Sequence, residues 1–380
     1  MTYQTSLKTC LNKFNTNHKF ASMSLRNSIT ILFLLVVTLL FSQNKVAFNK
    51  LTKNESGDYT YNDVLYNGES LLLWPSNNKP MQRISWFNGK IDGYFKSWYE
   101  NGKQNQDIEY KDGVRHGIFK THYQNGSPEV HCSYLNGKLN GEYVLHYKNG
   151  QTKKIVTFEN GLEQGNFILY HSNGKLEQKG QYKDGKPEGL IMSYDRDGGK
   201  RKEINYHLGL RHGSCKLYHI NGQIAEISNY INGFTDGKKN TYTLEGKLIE
   251  SSFYSMGKLE DQNITYTMSG NPLEIKTFKN NQLNGSYKLY KQQGLDTYGE
   301  YKDNLKTGPW VEHKFAKGGP DEGDYLNGKK NGTWKLGATN LFGKCKGEFI
   351  ENMKHGTWEY WKLDGSKWKT EKWNNGVLLK

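Results

Sequence analysis

Cys215 is among the few residues here with the means to act as a nucleophile, with His212 three positions before it and His219 four after. Such chemistry needs a base within hydrogen-bond reach of the thiol, a third group to orient that base, and commonly a strand-to-helix elbow to expose the nucleophile. Neither elbow nor orienting group is legible around Cys215, which reads as a small core residue. Histidines recur at matched places, as His116, His212 and His355, and as His122 and His146. A shared metal would need their rings to converge, yet equivalent places two strands apart lie about 10 Å from one another. Asp195-Arg196-Asp197-Gly198 opens like a calcium loop but lacks the later ligands and the distal Glu, so it reads as a turn. What remains is aromatic. Trp98, Tyr170, Tyr194, Tyr218, Tyr242, Tyr266, Tyr290 and Trp361, with His122, His146 and His313 in the same column, make a row of amphipathic rings of the kind recognition surfaces use. These are the candidate binding residues; no catalytic, metal-ligating or cofactor-binding residue is expected, and the chain reads as non-enzymatic.

The elements that must carry this row follow from a period. Gly93, Gly117, Gly141, Gly165, Gly189, Gly213 and Gly237 stand 24 residues apart. Asp261 takes the next beat, Gly285 resumes it, Gly308 arrives one residue early, and Gly332 and Gly356 close the series. A fixed period in this range marks an array whose units cannot bury an apolar face alone. Two further turn signals accompany it: a glycine nine residues after the period position in ten of the twelve units, and one four residues before it that is replaced only by Asn281, Asn304 and Asn352. Asn is the side chain that best tolerates positive φ, so the latter position demands that conformation.

Between the turns lie short runs rich in aromatic and branched residues, such as Glu142–Tyr147 and Gly165–Tyr170, which predict two strands per unit. Seven residues before the period glycine an aromatic recurs without a gap, from Trp86, Tyr110 and Tyr134 to Phe349 and Trp373. Its expected role is packing between neighbours. A second column, two after the glycine, runs Phe95, Phe119, Tyr143, Phe167, Ile191, Cys215, then decays to Lys239 and Asn263 before Tyr287, Trp310, Trp334 and Trp358. A locally weakened sheet is therefore expected near residues 237 to 270. The fold class is all-β: an elongated, single-layer, twisted antiparallel sheet of about twelve tandem 24-residue β-hairpins.

The unit Tyr134-Leu-Asn-Gly137-Lys-Leu-Asn-Gly141-Glu-Tyr143-Val-Leu-His-Tyr-Lys-Asn-Gly150 resembles the MORN-repeat variant family, and the same pattern recurs at Tyr182–Gly189 and Tyr325–Trp334. The resemblance covers residues 86–376 and implies a single-layer sheet of consecutive hairpins. For function it implies less: bacterial members are often labelled antitoxin-like, and MORN proteins elsewhere look like scaffolds for proteins or membranes.

Ahead of the array, residues 29–41 form an apolar run preceded by Arg26 and too short for an ordinary membrane span. Residues 1–43 therefore read as a secretory leader, with Met23 as the alternative start and an inner-membrane anchor as the alternative fate. Export to periplasm, outer membrane or medium follows. Residues 44–85 read as an N-terminal cap with a degenerate repeat, in which Pro75 and Pro80 discourage pairing, and 377–380 as a C-terminal tail. Cys132, Cys215 and Cys345 are odd in number and do not make a disulfide framework.

The net charge of +14 fits an acidic partner, but Lys90, Lys138, Lys175, Lys186, Lys247, Lys258 and Lys329 sit beside turn glycines, as on a solvated edge. Nucleic acid is disfavoured, since no recognised nucleic-acid fold accompanies the charge. The expected function is an exported scaffold that binds a protein or peptide. The alternatives are a carbohydrate or envelope-polymer module, because aromatic rows beside Asn and Gly resemble choline- and glucan-binding arrays, an antitoxin-like role, and contact with a membrane surface.

Overall fold

The computed structural model describes residues 45–292, 294–313, 319–338 and 343–380. The apolar run 29–41 and the whole leader lie outside the described residues. By internal contacts the chain divides into two units, Met1–Leu162 and Glu163–Lys380. Each is an antiparallel sheet of consecutive hairpins, and no α-helix occurs among the described residues.

In the first unit the sheet runs from Gly68–Leu73 through Pro80–Phe87, Lys90–Trp98, Gln104–Lys111, Val114–His122 and Pro128–Leu135 to Gly141–His146 and Thr152–Glu159. Pro80 does not discourage pairing as expected. It occupies the first position of its strand, opposite Leu73, where a missing N–H costs no ladder bond. The cap is built from Lys45–Ala47, which pairs parallel to Gly68–Leu73, the 3₁₀ turn Phe48–Lys50 and a three-stranded sheet of Thr52–Lys53, Tyr59–Tyr61 and Val64–Leu65. Its work is specific: Phe48 and Tyr59 set their rings 6.3 and 4.7 Å from that of Trp86, covering the first member of the aromatic column. Beneath them Glu69 is buried but held by Arg83 at 3.2 Å, Lys45 at 3.5 Å and the Tyr94 hydroxyl.

The second unit continues the pattern from Leu162–Tyr170 and Leu176–Lys183 to Met353–Trp361 and Lys367–Asn374. Val377–Leu379, read from sequence as a tail, is a strand paired with Lys372–Asn374.

The glycine that sets the period is not a turn residue. Ile84 pairs with Phe95 and Trp86 with Ile91, so Asp92, Gly93 and Tyr94 stand together opposite Ser85. The same register shift recurs between Ile108 and Tyr110, Ile204 and Tyr206, and Ser252 and Tyr254. The β-bulge thus recurs along the array, and the period glycine, with φ of 92° at Gly93, supplies the conformation the bulge needs. A polar residue serves the bulge from across the ladder: Glu109 accepts from the Ile118 N–H at 2.8 Å, and Asn205 donates to the Ser214 carbonyl at 2.8 Å. On its other side the bulge glycine pairs with the next unit's aromatic, as Gly93 does with Tyr110 and Gly213 with Tyr230.

The four-before glycines lie in two-residue hairpin turns with positive φ at both places, as the sequence requires. Where Asn replaces Gly it adopts the same conformation, with φ of 68° at Asn281, 66° at Asn304 and 70° at Asn352.

The core is a pair of interleaved columns on one face of each sheet. The second-column residues face a set nine before the period glycine: Phe95 opposes Ile84 and Ile108, Tyr143 opposes Val156, and Cys215 opposes Ile204 and Ser228. Ring contacts from the first column close over them, Phe119 to Tyr134 at 5.4 Å and Phe167 to Tyr182 at 4.6 Å. Near residues 237 to 270, where a weakened sheet is expected, the pairing is uninterrupted: Gly237–Tyr242, Leu248–Ser255, Lys258–Tyr266 and Pro272–Lys279 hold their register.

Candidate functional site

The predicted binding column lies on the face opposite that core, at the strand ends beside the longer turns. Its rings are half-buried throughout, Trp98, Tyr170, Tyr194, Tyr218, Tyr242, Tyr266, Tyr290 and Trp361 alike. Each stands across the ladder from the residue that re-enters after the turn: Trp98 from Gln104, Tyr170 from Leu176, Tyr194 from Lys200, Tyr218 from Ile224, Tyr242 from Leu248, Tyr266 from Pro272, Tyr290 from Leu295 and Trp361 from Lys367. The column is therefore part of the turn's own packing, with one side of each ring left to solvent.

The backbone beneath this column ties units together. The Tyr99 hydroxyl donates to the His122 carbonyl at 2.7 Å and that of Tyr123 to the His146 carbonyl at 2.9 Å. In the second unit the imidazoles of His171 and His219 reach the carbonyls of Tyr194 and Tyr242, at 3.1 and 2.8 Å. At the turn itself an asparagine ladder does the same work, with Asn101 Nδ2 donating to the Gln124 carbonyl, Asn125 to Lys148, Asn173 to Arg196 and Asn221 to Leu244. The Asn of the Asn-Gly turn signal is thus both a turn former and an inter-unit clamp.

The matched histidines fall into three settings. His116 and His355 set Nδ1 against the Oδ1 of Asn136 and Asn375, at 3.2 and 3.1 Å, bracing the next unit's short turn. His212 lies against His207, ring centroids 5.8 Å apart, and His122 and His146 stay in the aromatic column. No group of three or more His, Cys, Asp or Glu among the described residues is arranged to hold a metal ion. Asp195 is the hub of a turn: its Oδ1 accepts from the N–H groups of Asp197 and Gly199, and Arg201 pairs with it at 2.9 Å.

Cys132, Cys215 and Cys345 are free and buried. Burial pushes the Cys215 thiol above its ordinary range, and those of Cys132 and Cys345 up to about 11, so a thiolate is disfavoured at neutral pH.

Sequence reading missed a column of cations two residues before the period glycine. Arg115 lies 5.1 Å over the Phe119 ring, Arg211 5.3 Å over Tyr230, and Lys306, Lys330 and Lys354 lie 4.3, 3.7 and 4.4 Å over Trp310, Trp334 and Trp358. Their constant offset from the glycine was the available signal.

Repeated hairpins, a bulge in each and side-chain clamps at both turns define a β-repeat protein in which every unit is completed by its neighbours. The model of the MORN repeat variant matches residues 91–112, 115–136, 139–160, 163–184 and 211–232, and these five stretches are tandem repeats of the MORN kind. No curated protein matches it. Among solved structures it is similar to alternansucrase in complex with isomaltononaose, at 14% identity and a TM-score of 0.17 over 67% of this chain and 22% of that one. It is also similar to a TcdB2-TccC3 structure, at 9% identity and a TM-score of 0.16 over 79% of this chain and 18% of that one. The chain thus spans well under a third of the length of either. No helix among the described residues is long and apolar enough to cross a membrane.

Proposed function

We propose that this protein is an exported, non-enzymatic scaffold that binds a protein or peptide through rows of side chains repeated from unit to unit. The observation that carries this reading is the row of half-buried tyrosines in the second unit, Tyr170, Tyr194, Tyr218, Tyr242, Tyr266 and Tyr290, one per hairpin on the face away from the core. Two strand spacings separate successive rings, about 10 Å, a step that suits many modest contacts with an extended partner rather than one deep site. The buried thiols favour a binding role over nucleophilic catalysis. The export half of the reading rests on the apolar run 29–41.

The test is fractionation of the native cell, with mass spectrometry of the protein's N-terminus and of whatever crosslinks to it. An N-terminus near Asn44 in the envelope or medium, with a crosslinked protein lost from a Tyr194→Ala, Tyr218→Ala, Tyr242→Ala variant, is the expected outcome. An intact N-terminus in the cytosol removes the export reading, and retention of the partner by the triple variant removes the tyrosine row.

A further inference from the structure

The tyrosine row of the second unit has a constant step, and that step narrows the kind of partner the binding-scaffold reading above, on which this inference rests, can have. Tyr170, Tyr194, Tyr218, Tyr242, Tyr266 and Tyr290 stand on alternate strands of one sheet, each opposite the residue that re-enters after its turn. From Tyr170 to Tyr194 the ladder passes through Leu176, and the joint to the next strand is set by Gln178 opposite Ser193. The same two joints recur further on, as Tyr218 opposite Ile224 with Glu226 opposite Thr241, and Tyr266 opposite Pro272 with Glu274 opposite Leu289. Successive rings are therefore two strand spacings apart, about 9.6 Å, at each of the five steps.

Apolar side chains separate the rings, and their polar tips are turned along the strands. Leu176, Ile224 and Leu248, all half-buried, stand between successive tyrosines. The Tyr194 hydroxyl donates to Met192 Sδ at 3.4 Å and that of Tyr242 accepts from Asn240 Nδ2 at 3.3 Å, in each case from the residue two before on the same face. The hydroxyls of Tyr266 and Tyr290 have no hydrogen-bond partner among the described residues.

Lysines without carboxylate partners lie beside the row. Lys216 and Lys288 are two residues before Tyr218 and Tyr290, Lys238 is four before Tyr242, and Lys179 opposes Ile168, two before Tyr170, so all four share the tyrosine face. None has an ion-pair partner among the described residues. Two acids of the same face are engaged, Glu203 by Lys200 and Glu177 by His171 at 3.6 Å, and the exposed Glu300 lies past the last tyrosine, opposite Ser286.

We propose that this row docks an acidic, proline-rich segment in the polyproline II conformation. That helix has three residues per turn and rises about 9.3 Å per turn, so residues at i, i+3 and onward meet successive rings and drift by only about 1.5 Å over five steps. An α-helix offers about 10.5 Å per heptad and drifts by about 4.5 Å, and same-face residues of a strand repeat about every 6.8 Å, out of step from the first ring. Aromatic surfaces accept proline rings, and the polyproline backbone keeps no hydrogen bonds of its own, so its carbonyls are free to accept from the hydroxyls of Tyr266 and Tyr290. Carboxylates along the segment face Lys179, Lys216, Lys238 and Lys288, which supplies charge complementarity.

The probe is a fluorescently labelled peptide of five Pro-Pro-Glu triplets, about 46 Å long as polyproline II against about 48 Å for the row, titrated by anisotropy into the full chain. One control has five Gly-Gly-Glu triplets, with the same charge and no fixed helix; the other has five Pro-Pro-Lys triplets. Expected are saturable binding of the first peptide, at least about tenfold weaker binding of each control, and a loss of at least about tenfold in the Lys179→Glu, Lys216→Glu, Lys238→Glu, Lys288→Glu variant. Tyr266→Phe with Tyr290→Phe, which keeps both rings, should weaken binding by about threefold or more. Both variants should keep the parent's melting temperature, because the altered groups make no ion pair or hydrogen bond within the fold.

Absent binding, equal binding of the Gly-Gly-Glu peptide, or binding unchanged by either variant overturns the proposal. So does saturable binding of polygalacturonate, an acidic polysaccharide, by a chain that ignores the Pro-Pro-Glu peptide. A protein crosslinked through Tyr194, Tyr218 and Tyr242 that the Pro-Pro-Glu peptide does not displace leaves the scaffold reading standing and removes the polyproline one.

Discussion

Two stretches of the second unit build the same columns from opposite materials. Between Glu226 and Lys276 the core face is polar: Lys239 pairs with Glu226 at 2.9 Å, Asn263 donates to Glu250 at 2.8 Å and to Ser252 at 2.7 Å, and Lys276 pairs with Glu274 at 2.7 Å. Between Gly299 and Trp358 it is an indole stack. Trp310, Trp334 and Trp358 are essentially inaccessible, and each lies flat on a glycine, with its ring carbons 2.2 to 2.3 Å from where a Cβ on Gly299, Gly323 or Gly347 would sit. Each indole N–H donates to the next residue's carbonyl, at Glu300, Asp324 and Glu348, and a lysine covers the other face. The strands are equally regular in both stretches. Backbone pairing and bulge geometry therefore set the sheet, while the column residues decide how much apolar burial each joint contributes.

The comparison breaks most sharply at the glycines. Gly323→Ala should cost about 3 kcal/mol or more in urea unfolding, because its Cβ overlaps the Trp334 ring, whereas Ser252→Ala should cost about 1 kcal/mol. Equal costs would mean the indole can shift and the stack is not close-packed.

Within the polar stretch, Glu226→Ala alone should destabilise by about 2 kcal/mol, by stranding partly buried Lys239 and the Ser228 hydroxyl that donates to Glu226 at 3.0 Å. Replacing the pair together, as Glu226→Leu with Lys239→Phe, should be neutral or stabilising, since it restores the aromatic column. A double variant as unstable as the single one would show that the ion pair is needed in its own right.

Alkaline pH should sharpen the contrast. Burial pushes the hydroxyls of Tyr301, Tyr325 and Tyr360 above their ordinary range, and in the first unit burial and Glu69 push Tyr94 up to about 12. Unfolded tyrosine ionises near 10, so this stability is intact below pH 10 and is lost as the pH rises toward 12. Melting temperature should fall over that interval, with the 295 nm phenolate signal appearing together with unfolding. Phenolate appearing well before unfolding would contradict these burials.

The smallest effect concerns the turns. Leu208 holds φ of 51° where its counterparts are mostly Asn or Asp. Leu208→Asn should stabilise by about 1 kcal/mol in the same urea assay, and no gain would mean the turn is not strained.

Much of this was legible in the residues. The unbroken aromatic column from Trp86 to Trp373, and Asn standing in for Gly at 281, 304 and 352, fix the hairpins and their short turns. The role of Gly93 and its successors was not legible, because a bulge glycine and a turn glycine look alike until the pairing register is known. The exchange of bulk across the ladder was written in the sequence as Gly299 with Trp310, Gly323 with Trp334 and Gly347 with Trp358, each eleven apart, but only opposing strands give that spacing a meaning. For the tyrosine row, type and spacing placed the residues on one face. Their share in turn packing depends on cross-strand neighbours such as Leu176 and Ile224, which lie six residues further along the chain.

The one-residue slip between Gly285 and Gly308 shows where this chain can change length. Lys291 pairs directly with Gly294, and Tyr290 opposes Leu295 across four residues, whereas Tyr266 opposes Pro272 across five. The missing residue was removed from the longer turn, and the six-residue walk from Leu295 to Tyr301 equals that from Pro272 to Phe278. A turn one residue shorter is thus absorbed at one edge of the sheet, and a reporter peptide grafted at that edge should leave the phase of the columns undisturbed.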